Sequence, residues 1–234
     1  MESIQERLHN ACWDGDVQRV KQSLENPQIN INWQDCRGWT PLYSACFNER
    51  VKVVKILLND ERIDINKAES GGRTPFWIAC EKGQIEIAKL LLSDERINMN
   101  NQSYRTPFYL ACLFGLIEIV KFLLNNERVD VNKIEENGQI PFHAACYQGH
   151  IEIVKLLLAS EREVGVNTKN MEGKTAIELT RVKANTSRVW ETEQELQERK
   201  RKYSKVIELL ESFKKNPNET RAKLRMELGF VGMI

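Results

Sequence analysis

Cysteine is the residue type in this sequence whose spacing most directly suggests chemistry, either disulfide formation or metal binding. Four of the six cysteines recur at intervals of 34, 32 and 34 residues: Cys46, Cys80, Cys112 and Cys146. A constant interval of this length is a structural period. Cysteines on equivalent helices of a stack would lie about 10 Å apart, too far for a disulfide or a shared metal. We therefore expect free thiols that fill the core, and no metal site.

Motifs of catalysis and cofactor binding are missing from the sequence. It contains no HExxH, no GxxxxGK[ST], no GxSxG and no GxGxxG after a strand, so the enzyme classes that these motifs mark are not indicated. Cys36, in a predicted hairpin tip beside Arg37, is the one cysteine expected to be exposed, and a redox role for it is the less favoured interpretation. We predict a protein that is not an enzyme and needs no cofactor.

Two short segments repeat along the chain and predict the elements that hold these residues. The first reads TPLYSAC, TPFWIAC, TPFYLAC and IPFHAAC, and the second reads VKVVKILL, IEIAKLLL, IEIVKFLL and IEIVKLLL. At Thr40 and Pro41, a hydroxyl can cap a helix whose first position is proline. Apolar residues of the second segment recur at helical spacing, and Gly83 can end the preceding helix. Each unit therefore predicts two antiparallel helices that bury their apolar faces by stacking on neighbours.

These segments resemble the ankyrin repeat family, whose pattern is G-x-T-P-L-H-x-A, then G-H-x-E-x-V-K-L-L-L, then V-D-V-N. The resemblance covers about residues 3 to 180. It implies an all-α ankyrin-repeat solenoid of helix-turn-helix units with short β-hairpin-like tips. It also implies structural roles for His9 and His143, at the His place of the first motif, and for His150, at the Gly-His place of the second.

The resemblance also divides the chain. We expect an ankyrin-repeat domain over 1–215 and a short C-terminal helix and tail over 216–234. The domain has an abbreviated N-terminal repeat that opens on a capping box at Ser3, four full repeats, and a modified last repeat with an insertion at about 184–202. The six repeats span 1–32, 33–66, 67–100, 101–132, 133–167 and 168–215. The inserted ETEQELQERKRK predicts a polar helix that extends the second helix of the last repeat backwards.

Two further segments depart from the family pattern. A Glu-Arg pair follows each second helix where the family has Gly-Ala, and these pairs predict a solvated, charged edge: Glu61–Arg62, Glu95–Arg96, Glu127–Arg128 and Glu161–Arg162. The hairpin before Thr106 is two residues shorter than the others, which predicts a notch beside Arg105.

The C-terminal segment predicts a helix that starts at Asn216–Pro217 and stops at Gly229. Two interpretations stay open for it. It packs on the last repeat, or it stays free for a partner. Packing is favoured, through an apolar set consisting of Leu224, Met226, Leu228 and Phe230.

Composition limits the classes of partner. Lys and Arg number 34 and Asp and Glu 33, so no overall basic field favours nucleic acid or a membrane surface. The sequence shows no secretory signal and no run of 18 apolar residues, which favours a reducing compartment. Arg199–Lys202 resembles a short nuclear-localisation run, although the exposed face of a polar helix explains it equally. We expect a monomer in the cytoplasm or the nucleus.

In the ankyrin family, the two residues after the Ala-Cys position of each first helix and the hairpin tips line a concave binding surface. In this chain these positions are rich in Trp, Tyr, Phe and Arg, which often anchor interfaces. The predicted partner-binding residues are Trp13, Asp14, Trp39, Phe47, Asn48, Arg73, Glu81, Lys82, Arg105, Leu113, Phe114, Gln139, Tyr147 and Gln148. The competing interpretation is that Trp13 and Phe47 only cover neighbouring repeats.

The resemblance and these residues predict a scaffold or adaptor that binds another protein on its concave surface. The alternative is recognition of a nucleotide or another small ligand by the repeat surface near Trp39, Arg73 and Lys82. The sequence does not name the partner, because repeats supply a platform and their surface supplies only its chemistry.

Overall fold

A computed structural model describes residues 2–98, 105–186 and 190–230, and the regular elements within these ranges are 13 α-helices. The predicted all-α fold is therefore confirmed. The helices belong to two compact units, Met1–Pro107 and Phe108–Ile234, called the first and the second unit below.

The first unit consists of three helix pairs. Their bounds are α1 Ile4–Asp14 with α2 Val17–Leu24, α3 Pro41–Phe47 with α4 Val51–Leu58, and α5 Pro75–Glu81 with α6 Ile85–Ser93. Contacts join the two helices of each pair, the first helices of neighbouring pairs, and the second helices of neighbouring pairs. The hydroxyls of Thr40 and Thr74 accept the backbone N–H of the third helical residue, each at 3.1 Å, and Pro follows each Thr. The Thr-Pro helix start is thus confirmed.

The second unit contains seven helices. Their bounds are α7 Pro107–Phe114, α8 Ile117–Leu124, α9 Pro141–Gln148, α10 Ile151–Ala159, α11 Ala176–Asn185, α12 Glu193–Lys215 and α13 Pro217–Glu227. The predicted polar helix of the insertion is continuous with the second helix of the last repeat, and together they form the 23-residue α12. It packs along α11, and α9 also packs against α11.

The C-terminal helix α13 packs on α10 and α12, so the favoured interpretation is confirmed. Leu224 is only 4% exposed, and the Arg221 guanidinium donates to the backbone carbonyl of Leu158 at 3.2 Å. The prediction for Met226 is wrong, since its side chain is 63% exposed. Two helical residues turn the chain by about 200°, which carries Met226 away from the face that buries Leu224. Leu228 and Phe230 are half-buried.

The thiols are free, and five of the six are buried on the first helices of the pairs: Cys12, Cys46, Cys80, Cys112 and Cys146. Burial raises the pKa of each of these five thiols well above its usual value. Cys36 is exposed, as predicted. The cysteine period therefore marks one core position of successive repeats.

Hairpin-like tips precede the first helices. A backbone hydrogen bond closes each described tip at 2.9 to 3.1 Å, as between Asp35 and Trp39 and between Glu69 and Arg73. Neighbouring tips also touch, since the N–H of Ser70 donates to the carbonyl of Arg37 at 3.3 Å. The tip before Thr106 includes residues 101–104, which lie outside the described residues, so the notch beside Arg105 stays a prediction.

The prediction that the Glu-Arg pairs form only a solvated edge is wrong for three of their arginines. Arg96 pairs with Asp94 and also donates to the backbone carbonyls of Leu58 at 2.6 Å and Asp60 at 3.1 Å. These carbonyls lie at the end of α4, in the preceding helix pair. Arg62 and Arg162 make equivalent bonds to the ends of α2 and α8. Three of the arginines therefore tie neighbouring repeats together and satisfy helix-end carbonyls.

Candidate functional site

Three aromatic rings of the first unit lie against one another on its surface. The rings of Trp13 and Trp39 are stacked, with their centroids 5.7 Å apart and an angle of 26° between their planes. The Phe47 centroid lies 5.9 Å from that of Trp13 and 4.7 Å from that of Trp39. All three side chains are half-buried. We call Trp13, Trp39 and Phe47 the aromatic surface. Each residue was predicted from its place in the repeat, and the structure brings the three together.

Three different elements position these rings. Trp13 and Phe47 come from the last turns of α1 and α3, whereas Trp39 comes from the tip between them. The Asp35 carboxylate holds that tip, because one of its oxygens accepts the backbone N–H of Arg37 at 2.9 Å and of Trp39 at 2.8 Å. The Arg50 guanidinium also donates to the backbone carbonyl of Trp13 at 3.0 Å. The rings are therefore fixed by backbone hydrogen bonds as well as by their mutual contact.

Cationic side chains lie over the rings of this unit. The Arg37 guanidinium carbon is 4.0 Å from the centroid of Trp39 and 5.4 Å from that of Trp13. The Lys82 ammonium is 4.0 Å from the centroid of Phe47. Arg73 lies in the same way over Trp77, at 5.1 Å. These are cation–π distances, at which a cation is attracted to the face of an aromatic ring.

Two carboxylates pair with the arginines that lie over the rings, and both are less exposed than those arginines. Asp35 binds Arg37 and Glu69 binds Arg73, each at 2.9 Å. Burial by itself would raise the pKa of each carboxyl group. Hydrogen bonds from nearby backbone N–H groups and from the paired guanidinium outweigh that effect and hold the pKa of both below its usual value. Both carboxylates are therefore charged at neutral pH.

Other predicted residues of the first unit have separate surroundings. Asp14 lies 3.8 Å from the Arg19 guanidinium, and 59% of its side chain is exposed. Asn48 donates to the backbone carbonyl of Ser44 at 3.1 Å, which gives it a role at the end of α3. Glu81 is exposed, and Arg105 is half-buried.

The second unit gathers part of its predicted set around Tyr147. The Lys183 ammonium donates to the Tyr147 hydroxyl at 3.3 Å and lies 4.5 Å from the centre of its ring. Gln148 borders an open cleft of about 480 Å³ beside Lys183 and Trp190. Gln139 instead accepts a hydrogen bond from the Tyr109 hydroxyl at 2.9 Å, which ties it to the fold. Leu113 and Phe114 are half-buried at the end of α7.

The three histidines make structural hydrogen bonds, as the resemblance implied. His9 lies 2.8 Å from the Ser44 hydroxyl, and His150 bonds to the backbone carbonyl of Leu113 at 3.1 Å. The Nδ1 of His143 accepts the N–H of Ile140 at 3.2 Å, and its Nε2 bonds to a backbone carbonyl in the next repeat. Burial is the main cause that lowers the pKa of all three.

The basic run Arg199–Lys202 is not uniformly exposed. Arg199 forms an ion pair with Glu191 at 2.6 Å, with both side chains 9% exposed. Its guanidinium also donates to the backbone carbonyls of Lys183 and Ala184 at the end of α11. Arg199 therefore anchors the insertion, and only the three residues after it are exposed.

Sequence reasoning missed two groups of surface residues. Arg37 was noted only as a neighbour of Cys36, although its place two residues before Trp39 in one tip was a usable signal. Lys183 and Trp190 lie in or beside the insertion, where the repeat pattern gives no equivalent position. No helix of the described part of the chain combines the length and the apolar character that a membrane crossing needs.

Comparison with known proteins gives the family. A family model for ankyrin repeats (three copies) matches residues 8–103 and 91–170, which together make up more than half of the chain. The crystal structure of EF0377, an ankyrin repeat protein, is similar with a TM-score of 0.70, at 23% identity and over 87% of this chain and 96% of that one. No curated protein matches the chain. With matching repeats, matching helix pairs and a matching solved fold, the chain belongs to the ankyrin repeat family.

Proposed function

We propose that this chain is a protein-interaction module whose first unit binds a partner polypeptide on the aromatic surface. Ankyrin repeats are in general protein–protein interaction modules, and catalysis is not their usual role. The observation that carries the proposal is the mutual packing of Trp13, Trp39 and Phe47, three large rings that remain partly exposed. Clustered Trp and Phe side chains with Arg beside them have the composition of an interface hot spot.

The rigidity of the rings supports binding over a purely structural role. Rings already held in place lose little conformational freedom when a partner covers them, so more of the contact energy appears as affinity. We propose a secondary contact region on the second unit, formed by the partly exposed side chains of Leu113, Phe114, Tyr147 and Gln148. Asp14, Asn48, Gln139 and Arg105 are expected to add less.

We also infer a monomeric adaptor of the cytoplasm or the nucleus. Six free thiols, five of them in the core, suit a reducing compartment. Size-exclusion chromatography with light scattering measures the oligomeric state, and a mass of twice 27.2 kDa would contradict the monomer.

The proposal is tested with a double variant, Trp13→Ala with Phe47→Ala. Proteins captured from the native cell by the parent and by the variant are compared by quantitative mass spectrometry. Each protein that the parent captures in larger amount than the variant is then purified, and its binding is measured by isothermal titration calorimetry. If the two rings are hot spots, the variant loses at least about 2 kcal/mol of binding free energy.

The matched control is Phe122→Ala on α8, where a phenyl ring is 38% exposed and lies outside the aromatic surface. It should bind as the parent does. Helical circular dichroism and thermal melts establish that the double variant is folded. Equal affinity of the double variant and the parent for every purified partner would contradict the proposal.

A further inference from the structure

We infer that the aromatic surface recognises an acidic polypeptide segment, in which an Asp or Glu side chain flanks an apolar anchor residue. This inference rests on the proposed function and specifies the chemistry of the partner. It follows from the positions of the charged side chains in the first unit, where the cations over the rings are more exposed than the carboxylates that pair with them.

Cations form the outer layer and carboxylates the inner one. The side chains of Arg37 and Arg73 are 50% and 38% exposed, whereas those of their partners Asp35 and Glu69 are 14% and 6% exposed. An approaching partner therefore meets the guanidinium groups before it meets the carboxylates that neutralise them. A partner carboxylate at the surface therefore lies closer to the guanidinium groups than to the carboxylates beneath them, and the Coulomb energy falls with distance.

Two donor groups among these cations, the Lys82 ammonium and Nη1 of Arg37, have no hydrogen-bond acceptor in the described part of the chain. Lys82 is exposed and forms no ion pair there, and the cation–π contact with Phe47 leaves its N–H groups available. Arg37 uses Nε and Nη2 toward Asp35, which leaves Nη1 without a hydrogen bond within the described ranges. A partner carboxylate can bind Lys82, or the free Nη1 of Arg37, at the rim while an apolar side chain covers the exposed ring edges.

Glu81 is an exposed carboxylate at the end of α5, next to Lys82 in the chain. Its charge acts on Arg73 and Tyr43, since it contributes to raising the pKa of both. It therefore offsets part of the positive charge of Arg73. Lys82 has no ion-pair partner in the described part of the chain, so the acidic residue of the partner is placed there.

The packing of the rings favours a peptide over a nucleotide. The Trp39 ring contacts the rings of Trp13, Phe47 and Tyr43, and Arg37 covers it at 4.0 Å. A base could stack on Trp39 only by displacing one of these groups. A carboxylate and an aliphatic side chain need no such displacement.

The test uses a random phage-displayed library of peptides about 12 residues long, which exceeds the roughly 20 Å that two repeat steps span. The full chain and its Lys82→Glu variant are panned separately. The parent should enrich peptides with Asp or Glu at a fixed distance from an apolar residue. The variant should bind those peptides at least about tenfold more weakly and should enrich Lys or Arg at the same position.

The matched control is Lys52→Glu, which reverses the charge of an exposed lysine on α4 away from the rings. It should select the same acidic peptides as the parent. Replacing the acidic residue of a selected peptide by Asn or Gln should weaken its binding to the parent and to Lys52→Glu, but not to Lys82→Glu.

The possible failures are distinguishable. Enriched peptides that need Phe47 but show no acidic preference, or a basic one, would overturn this inference and leave the proposed function standing. A panning that yields no peptide dependent on Phe47, together with a rise in melting temperature on addition of ATP or GTP, would overturn both and favour nucleotide recognition.

Discussion

Glu49 occupies a backbone conformation that four other helix pairs give to glycine. The equivalent residues Gly15, Gly83, Gly115 and Gly149 have φ angles between 69° and 83°, and Glu49 has φ of 57°. A residue with a β-carbon pays a steric cost of about 1–2 kcal/mol in this left-handed region. The Glu49 side chain is exposed and gains no ion pair in the described part of the chain.

Replacing Glu49 by Gly should therefore stabilise the protein, by about 0.5–1 kcal/mol after the greater freedom of glycine in the unfolded chain is counted. Urea denaturation monitored by circular dichroism measures the change. Glu49→Ala is the control, because it removes the charge but keeps the β-carbon, and it should gain much less. Equal gains in the two variants would assign the effect to charge instead of backbone strain.

His143 has its protonation state set by its two hydrogen bonds. Nδ1 accepts the N–H of Ile140, so the proton must be on Nε2, where it is donated to the carbonyl of Thr168 at 2.9 Å. Protonation of Nδ1 would break the first of these bonds at the start of α9. Burial favours the same neutral form, which is why the pKa of His143 is lowered.

Stability should consequently decrease in mild acid. Because the folded-state pKa of His143 lies below that of the unfolded chain, the unfolded chain binds more protons between the two values. The stabilisation is complete above about pH 6.5 and is lost as the pH falls through the lowered value, with a slope of at most about 1.4 kcal/mol per pH unit. Urea melts at about pH 7.5 and about pH 5 measure it. His143→Gln should show a shallower dependence, and an unchanged one would contradict this account.

Among the elements, helices α2 and α4 of the first unit each receive hydrogen bonds from an arginine of the next pair. The Arg96 guanidinium satisfies carbonyls at the end of α4, where helical partners are lacking. Its side chain is 35% exposed, so water can replace part of this interaction. Arg96→Gln should cost about 1–2 kcal/mol of unfolding free energy, less than a fully buried charged hydrogen bond.

Glu95→Gln is the control for Arg96, because Glu95 is the exposed member of the same Glu-Arg pair. It should change stability by no more than about 0.5 kcal/mol. Both are measured by urea denaturation at neutral pH. Equal costs for the two variants would show that Arg96 contributes only as a surface charge.

Helix α13 provides a second pair of variants, one on its buried side and one on its exposed side. Leu224→Ala removes a side chain that is 4% exposed against α10 and α12, and it should cost about 2–3 kcal/mol. Met226→Ala, two residues later on the exposed side, should cost less than about 0.5 kcal/mol. Thermal and urea melts compare them. A neutral Leu224→Ala would mean that α13 does not stabilise the second unit.

At the scale of the whole molecule, the buried thiols report on the unfolding of each unit. Cys12, Cys46 and Cys80 lie in the core of the first unit, and Cys112 and Cys146 in that of the second. Native protein should react with Ellman's reagent at one thiol, Cys36, and the remaining five should react after denaturation. More than one rapidly reacting thiol in the native protein would contradict the burial of the repeat cysteines.

The sequence by itself determined the repeat, the helix pairs and the identity of most candidate residues. Local chemistry carries this information, since a Thr-Pro start, a positive-φ glycine and a helical apolar period act over a few residues. The resemblance then assigned Trp13, Trp39 and Phe47 to one surface. It also assigned the cysteines and histidines to the core and to structural hydrogen bonds.

Only the tertiary structure decided which side chains meet across repeats. Arg37 lies over Trp13, Arg96 bonds to the end of α4, and Arg199 bonds to the end of α11, because packing of the helix pairs brings residues that are distant in the chain into contact. Long flexible side chains have many rotamers, and sequence period alone does not select among them. Met226 shows the same limit at a helix surface, where apolar character predicted burial and the direction of the side chain decided against it.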